Sequence, residues 1–134
     1  MKTAITLAAA LAIALSAAAQ ASAFGFFQSP SGNIGCVISR HDVRCDIREH
    51  DWTAPPKPAS CELDWGSGVA VDRHGRADIV CAGDTTLGAG KHLAYGDSIE
   101  RGRFRCVSKR SGMHCVNRRN DHGFALSRER LRRF

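Results

Sequence analysis

The sequence holds no CxxC pair, no HExxH run and no GxSxG elbow. The first absence removes a common zinc-ligand spacing, the second the two-histidine metal site of many peptidases, and the third the strained turn that presents a serine nucleophile. Aromatic residues are scarce, with one tyrosine and two tryptophans. Tyr95 and Phe104 are too few for a base-stacking platform, and their expected work is packing. Beyond the first residues no second long apolar run follows, so nothing else in the sequence reads as a membrane helix.

The opening residues read as a secretory signal. Lys2 supplies the positive start, residues 4–19 are almost wholly apolar, and Ala21-Ser22-Ala23 is a small-residue cleavage site before Phe24. Residues 1–23 are therefore expected to be a signal peptide and residues 24–134 a single exported β-rich domain with a basic C-terminal segment. No cysteine lies near the cleavage point to accept a lipid, so the expected product is soluble, secreted or periplasmic, and without a transmembrane segment.

Cys36, Cys45, Cys61, Cys81, Cys106 and Cys115 are an even set in a short exported chain, which favours disulfides over thiolate metal sites. No metal site and no cofactor is expected. Of the fifteen connectivities open to six cysteines, sequential pairing closes the shortest loops and is preferred. Two segments carry the same pattern: Cys36-Val-Ile-Ser-Arg-His-Asp-Val-Arg-Cys45 and Cys106-Val-Ser-Lys-Arg-Ser-Gly-Met-His-Cys115. Each sets its cysteines around a polar centre with apolar residues at both ends, as in a hairpin stapled across its strands.

Strand-like runs at 34–39 and 43–47 form the first hairpin, and Asp72-Arg73-His74-Gly75 turns a second between 69–71 and 77–80. Residues 104–107 and 113–117 form the last. Pro55, Pro56 and Pro58 mark an extended connector, since each lacks a ladder donor. Trp52 and Trp65 are expected at the core or its lid. The stretch at 82–90, with Gly83-Asp84-Thr85-Thr86, lacks the spacing of a phosphate loop and reads as a structural loop. Phe124 and Leu126 alternate like a closing strand. The last seven residues are expected to be a short helix capped by Ser127 or simply a charged end. The fold class expected is all-β, a small disulfide-stapled antiparallel β-barrel or sandwich.

Charge is unevenly distributed. Residues 101–134 hold ten arginines and Lys109 against Asp121 and Glu129, a net of +9, whereas residues 24–100 carry a net of −4. The candidates for anion binding are Arg101, Arg103, Arg105, Lys109, Arg110, Arg128, Arg130, Arg132 and Arg133. Arg101, Arg103 and Arg105 alternate as one side of a strand would, with Phe104 on the other. Such a segment attracts anionic lipid, wall polymer, lipopolysaccharide or an acidic partner, and it also suits internal pairing with the acidic first half. Export argues against nucleic acid as a partner.

Catalytic residues are not evident. His50 beside Glu49 and Asp51, His74 near Asp72 and His122 beside Asp121 are sequence neighbours, and adjacent side chains commonly face apart.

Ser29-Pro30-Ser31-Gly32-Asn33-Ile34-Gly35-Cys36, Cys61-Glu62-Leu63-Asp64-Trp65-Gly66, Cys81-Ala82-Gly83-Asp84-Thr85 and Gly123-Phe124-Ala125-Leu126-Ser127-Arg128 occur in this order. With them the chain resembles a family of small exported bacterial proteins of unknown function that share SPSGNIxC, CxxxWG, CxGDT and GFxLSR motifs. The resemblance implies a shared cysteine framework, a bacterial origin and export; it implies no activity. The function expected is a non-enzymatic binding or envelope-associated protein that engages an anionic envelope component. The alternatives are an inhibitor of a secreted hydrolase, using rigid loops such as 83–90, and a small hydrolase.

Overall fold

The computed structural model describes residues 23–134; the expected signal peptide, apart from Ala23, lies outside the described residues. The described chain is all-β. Six strands form sheet A: β1 (Gly25–Gln28), β2 (Ile34–Ile38), β3 (Asp42–Ile47), β4 (Asp64–Asp72), β5 (Asp78–Ala82) and β6 (Lys91–His92). Five form sheet B: β7 (Ser98–Arg101), β8 (Phe104–Lys109), β9 (Gly112–Asn117), β10 (Gly123–Leu126) and β11 (Leu131–Arg133). Within each sheet the strands lie in chain order, save that β6 returns to the far edge beside β1. Every pairing is antiparallel except that two-residue parallel contact. The sheets face one another as a sandwich and do not close into a barrel.

Alternation along the strands sets the core. Ile34, Cys36 and Ile38 on β2 and Val43, Cys45 and Ile47 on β3 are buried, as are Phe104 and Cys106 on β8, Met113 and Cys115 on β9, and Phe124 and Leu126 on β10. A side-chain period of two puts each set on the face turned toward the other sheet.

The cysteines pair sequentially: Cys36 with Cys45, Cys61 with Cys81, and Cys106 with Cys115. The first and third join residues directly opposite in register, with Cα atoms 4.1 Å apart in both. Opposed residues outside the ladder bonds approach most closely in an antiparallel pair, so a cross-strand disulfide fits there. The two staples then meet. Cys45 Sγ lies 4.0 Å from Cys115 Sγ at the centre of the sandwich. Neither sulfur carries a hydrogen, so this is a van der Waals contact between the two sheets.

The segment from β5 to β6 crosses the outer face of sheet A. Thr86 is buried there; its hydroxyl donates to Gly35 O at 2.6 Å and its amide donates to Asp46 Oδ2 at 2.9 Å. A Cβ on Gly35 would come within 2.5 Å of Thr86 O, so only glycine lets the crossing lie flat on the sheet. Arg44 fastens the same crossing, bonding Asp46 within sheet A and Asp84 in the loop, each at 2.8 Å. Its own carboxylate partners raise its pKa against the lowering effect of burial, which is the largest single contribution.

Several readings are corrected by the fold. Arg101, Arg103 and Arg105 do not share one strand: Arg101 ends β7, Gly102-Arg103 form the hairpin turn, and Arg105 is on β8. Gly102 has φ 55°, a conformation suited to a glycine leading a two-residue hairpin turn. The C-terminal residues form neither a helix nor a loose end. Ser127 caps a turn, its hydroxyl accepting from Arg130 N at 3.1 Å, and β11 then pairs with β10. Residues 25–28, where no strand is expected from the sequence, form β1 between β2 and β6. Trp52 packs at the rim of the core, its Nε1 donating to Ser127 O at 2.9 Å. Trp65 does not join the core: it lines a concavity with Arg44 and Asp46, and its Nε1 donates to Pro55 O at 2.8 Å, which holds the proline connector along β4.

Loop closure alone ranks the Cys61–Cys81 staple first. On the chain-entropy relation a separation of 9 contributes about 2.7 kcal/mol and one of 20 about 3.3 kcal/mol. The Cys36–Cys45 bridge also fills the sheet-to-sheet contact, whereas Cys81 is exposed. Replacing Cys36 and Cys45 together by alanine is expected to lower unfolding free energy in denaturant more than replacing Cys61 and Cys81 together; the reverse order would reduce the central staple to loop closure.

Candidate functional site: an arginine-lined end of the sandwich

Successive turns of a meander alternate between its two ends, so chain order dictates which turns meet. The β2–β3, β4–β5, β7–β8 and β9–β10 turns fall at one end. They carry, respectively, Arg40, Arg73, Arg103, and Arg118 with Arg119, and together with Gly102 these five arginines line a concavity of about 430 Å³. Arg40 and Arg73 come from sheet A and the other three from sheet B, so the concavity straddles the end of the sandwich.

Its frame is built from buried polar groups. Asn117 is fully buried at the end of β9. Its Nδ2 donates to Asp72 O at 3.3 Å, beside Arg73, while its Oδ1 accepts from Arg119 N at 3.0 Å. One amide thus ties the turns of opposite sheets. Asp72 in turn accepts from His74 N at 2.8 Å and Gly75 N at 3.2 Å, fixing the β4–β5 turn. The His74 amide makes the largest contribution to lowering the Asp72 pKa; burial opposes it, and the Gly75 amide adds to the lowering. Ser39 Oγ does similar work in the first turn, accepting from His41 N at 3.0 Å and Asp42 N at 3.2 Å. Arg40 lies over Gly102, with its Cγ 3.5 Å from where a Cβ would stand.

The charges are largely uncompensated. Arg118 lies 3.4 Å from Glu100, which also holds Arg105 at 3.2 Å. Among the described residues no carboxylate lies within ion-pair distance of Arg40, Arg73, Arg103 or Arg119. Partial desolvation, followed by the Arg119 and Arg73 cations, lowers the Arg103 pKa.

The other candidate cations do not join this group. Lys109, Arg110 and Arg128 stand at the opposite end, in a cleft of about 670 Å³ that also contains Arg48, Glu49 and Glu129. There Arg110 covers the Tyr95 ring at 4.9 Å and Arg128 pairs with Glu49 at 3.1 Å. Arg133 pairs with Asp78 at 3.1 Å, and Arg132 covers the Phe134 ring. Arg101 turns toward Gly25 at the β1 edge. Arg130 is exposed in the β10–β11 turn. Thus Arg128 and Arg133 pair with the acidic first half, and of the nine candidates only Arg103 lines the arginine concavity.

Arg40 and Arg73 escaped the linear reading because they lie in the net-acidic half, and Arg118 and Arg119, though within the basic segment, because no local pattern set them apart there. The available signal was positional: each lies at or beside a turn between expected strands, and alternate turns share an end. No group of three or more His, Cys, Asp or Glu side chains among the described residues has metal-binding geometry. The 83–90 loop is pinned down at Thr86.

A family model described as "Family of unknown function (DUF6636)" matches residues 6–134. The chain belongs to this family. No curated protein and no solved structure matches it. DUF6636 membership accordingly assigns no activity to the arginine end, and its chemistry rests on the geometry above. The three disulfides of this DUF6636 domain require an oxidising setting to form and persist.

Two measurements probe the frame and, away from it, a half-buried histidine of β9. Asn117→Ala leaves the Asp72 carbonyl and the Arg119 amide without their partner and is expected to cost about 1–3 kcal/mol in chemical denaturation. It is also expected to speed amide exchange in the Arg73 and Arg119 turns; unchanged exchange there would deny the tie. His114, bonded to Ser111 Oγ at 3.1 Å, has its pKa lowered by burial and then by Lys109 and Arg132. A lowered histidine pKa means the unfolded chain binds the proton first, so its contribution destabilises the native state as pH falls below about 6.5. The slope of Tm between pH 7.5 and 5 is expected to flatten in His114→Gln; an unchanged slope would assign that pH dependence elsewhere.

Proposed function

We propose that this protein is an exported, non-enzymatic binding module, secreted or periplasmic, which engages an anionic component of the cell envelope through its arginine-lined end. The observation that carries the reading is the convergence of five arginines from four turns around one concavity, with Arg40, Arg73, Arg103 and Arg119 free of carboxylate partners among the described residues. Like charges held together repel, and the fold sustains that cost with a buried asparagine and stapled hairpins. An anion removes the repulsion on arrival. The lack of a converging acid–base pair in the concavity, whose lining is arginine and glycine, favours binding over hydrolysis.

Envelope anions are extended and multivalent, and a site at the tip of a rigid sandwich reaches a surface without steric obstruction from the rest of the domain. Screening shortens such attraction from about 10 Å at 0.1 M salt to about 3 Å at 1 M. Co-sedimentation of residues 24–134 with phosphatidylglycerol vesicles or lipopolysaccharide is expected to fall steadily across that range. Reversing Arg103 and Arg119 to glutamate is expected to abolish it, and reversing Arg128 and Arg133, already paired, to weaken it less. Salt-independent binding, absent binding, or the opposite ranking of the two variants would overturn the reading.

A further inference from the structure

We infer that the arginine-lined concavity is a receptor for a phosphate group, carried as a phosphomonoester or diphosphate, and that Arg103 and Arg119 contact it directly. This rests on the anion-binding reading above and narrows it to one chemistry.

The composition of the site is the first argument. All five cations lining it are arginine, although the chain also contains lysine, which stands at the opposite cleft as Lys109. A diffuse electrostatic surface is served equally by either residue. A planar fork of N–H donors, by contrast, matches pairs of oxygens on phosphate, and it remains charged at all working pH values.

Direction and charge are the second. The arginines that line the concavity come from turns of both sheets, so the donors around it are not confined to one strand or one plane of backbone. A carboxylate offers two oxygens in one plane and is satisfied by a single fork. A tetrahedral phosphate presents oxygens in several directions, and a diphosphate extends them further. Each phosphomonoester carries about −1.5 to −2 at neutral pH, enough to offset more than one guanidinium.

The frame and size are the third. Arg119 is placed by the hydrogen bond from its backbone N–H to Oδ1 of the buried Asn117, Arg103 by the Gly102 turn, and Arg103 O also accepts from Arg118 N at 2.9 Å, joining the two sheet-B turns. Little ordering of the backbone remains to be done on binding. A concavity of about 430 Å³ is larger than a bare phosphate needs and lies within the range of small-ligand sites, which fits a phosphorylated headgroup or sugar.

The test uses residues 24–134 with disulfides intact and titrates inorganic pyrophosphate and citrate at matched ionic strength by calorimetry. Pyrophosphate is expected to bind at least about tenfold more tightly than citrate, because the forks can use more of its oxygens. Arg103→Lys with Arg119→Lys keeps the charge and removes the forks; it is expected to weaken pyrophosphate about tenfold while adhesion to phosphatidylglycerol vesicles at low salt stays within about twofold. Arg110→Gln with Arg128→Gln, at the far end, is expected to leave pyrophosphate binding unchanged. The substituted side chains are in turns or exposed, and an unaltered Tm confirms folding. Equal affinity for citrate and pyrophosphate, or full affinity in the double-lysine protein, would overturn this inference while vesicle adhesion could still stand. Pyrophosphate binding through Arg103 and Arg119 without any vesicle adhesion would instead overturn the envelope reading alone. The source of the phosphate is separated by two further arms: preference for phosphatidic acid over phosphatidylserine vesicles, reversed by pyrophosphate, assigns a lipid-borne group, and tight glucose 1-phosphate binding without that preference assigns a soluble one.

Discussion

The contact between Cys45 and Cys115 sulfurs is the constraint from which the rest of the structure proceeds. Each disulfide fixes the register of its own hairpin, because a slip of one strand by one residue would put its two cysteines on opposite faces. Their meeting at 4.0 Å then fixes one hairpin against the other. With register and facing both set, the ends of the strands are aligned. The turns at either end are brought together as a consequence, and those turns hold the arginines.

That order of dependence explains how a small domain sustains a cluster of like charges. The core is made from short aliphatic side chains, three fully buried phenylalanines and the two central disulfides, and it does not depend on the turn-end arginines for its stability. Asn117 then carries the organisation outward from the core. It occupies an inward position of β9, where an apolar residue would ordinarily lie, and it spends its hydrogen-bonding capacity on the backbone of two arginine-bearing turns. A buried amide whose bonds all serve the positioning of exposed cations is a sign that the end of the sandwich, and not only its centre, is specified.

Much of this architecture was legible in the residues. The nine-residue cysteine spacing, the alternation around it and the glycine-rich turns indicate three staples, sequential pairing and an all-β fold, because these are local properties of a chain. What was not legible is nonlocal. That β6 would cross the sheet to pair beside β1 depends on Gly35 lacking a side chain beneath Thr86, fifty-one residues away. That residues 131–133 would form a strand depends on a free edge of β10. The candidate site fared likewise. Charge density along the chain pointed to the last third, yet Arg128 and Arg133 are paired there with Glu49 and Asp78. The unpaired group draws on Arg40 and Arg73 in the acidic half, joined to Arg103 and Arg119 only by the fold.

The central claim is that this joined end, rather than the charge-rich tail, receives an anion. Mapping backbone amide shifts of a ¹⁵N-labelled protein during a pyrophosphate titration tests it most directly. The account predicts saturable shifts in the turns that carry Arg40, Arg73, Arg103, Arg118 and Arg119, with Lys109, Arg110 and Arg128 unmoved. Shifts centred on the opposite cleft or on the C-terminal arginines, or no saturable shifts at all, would contradict it.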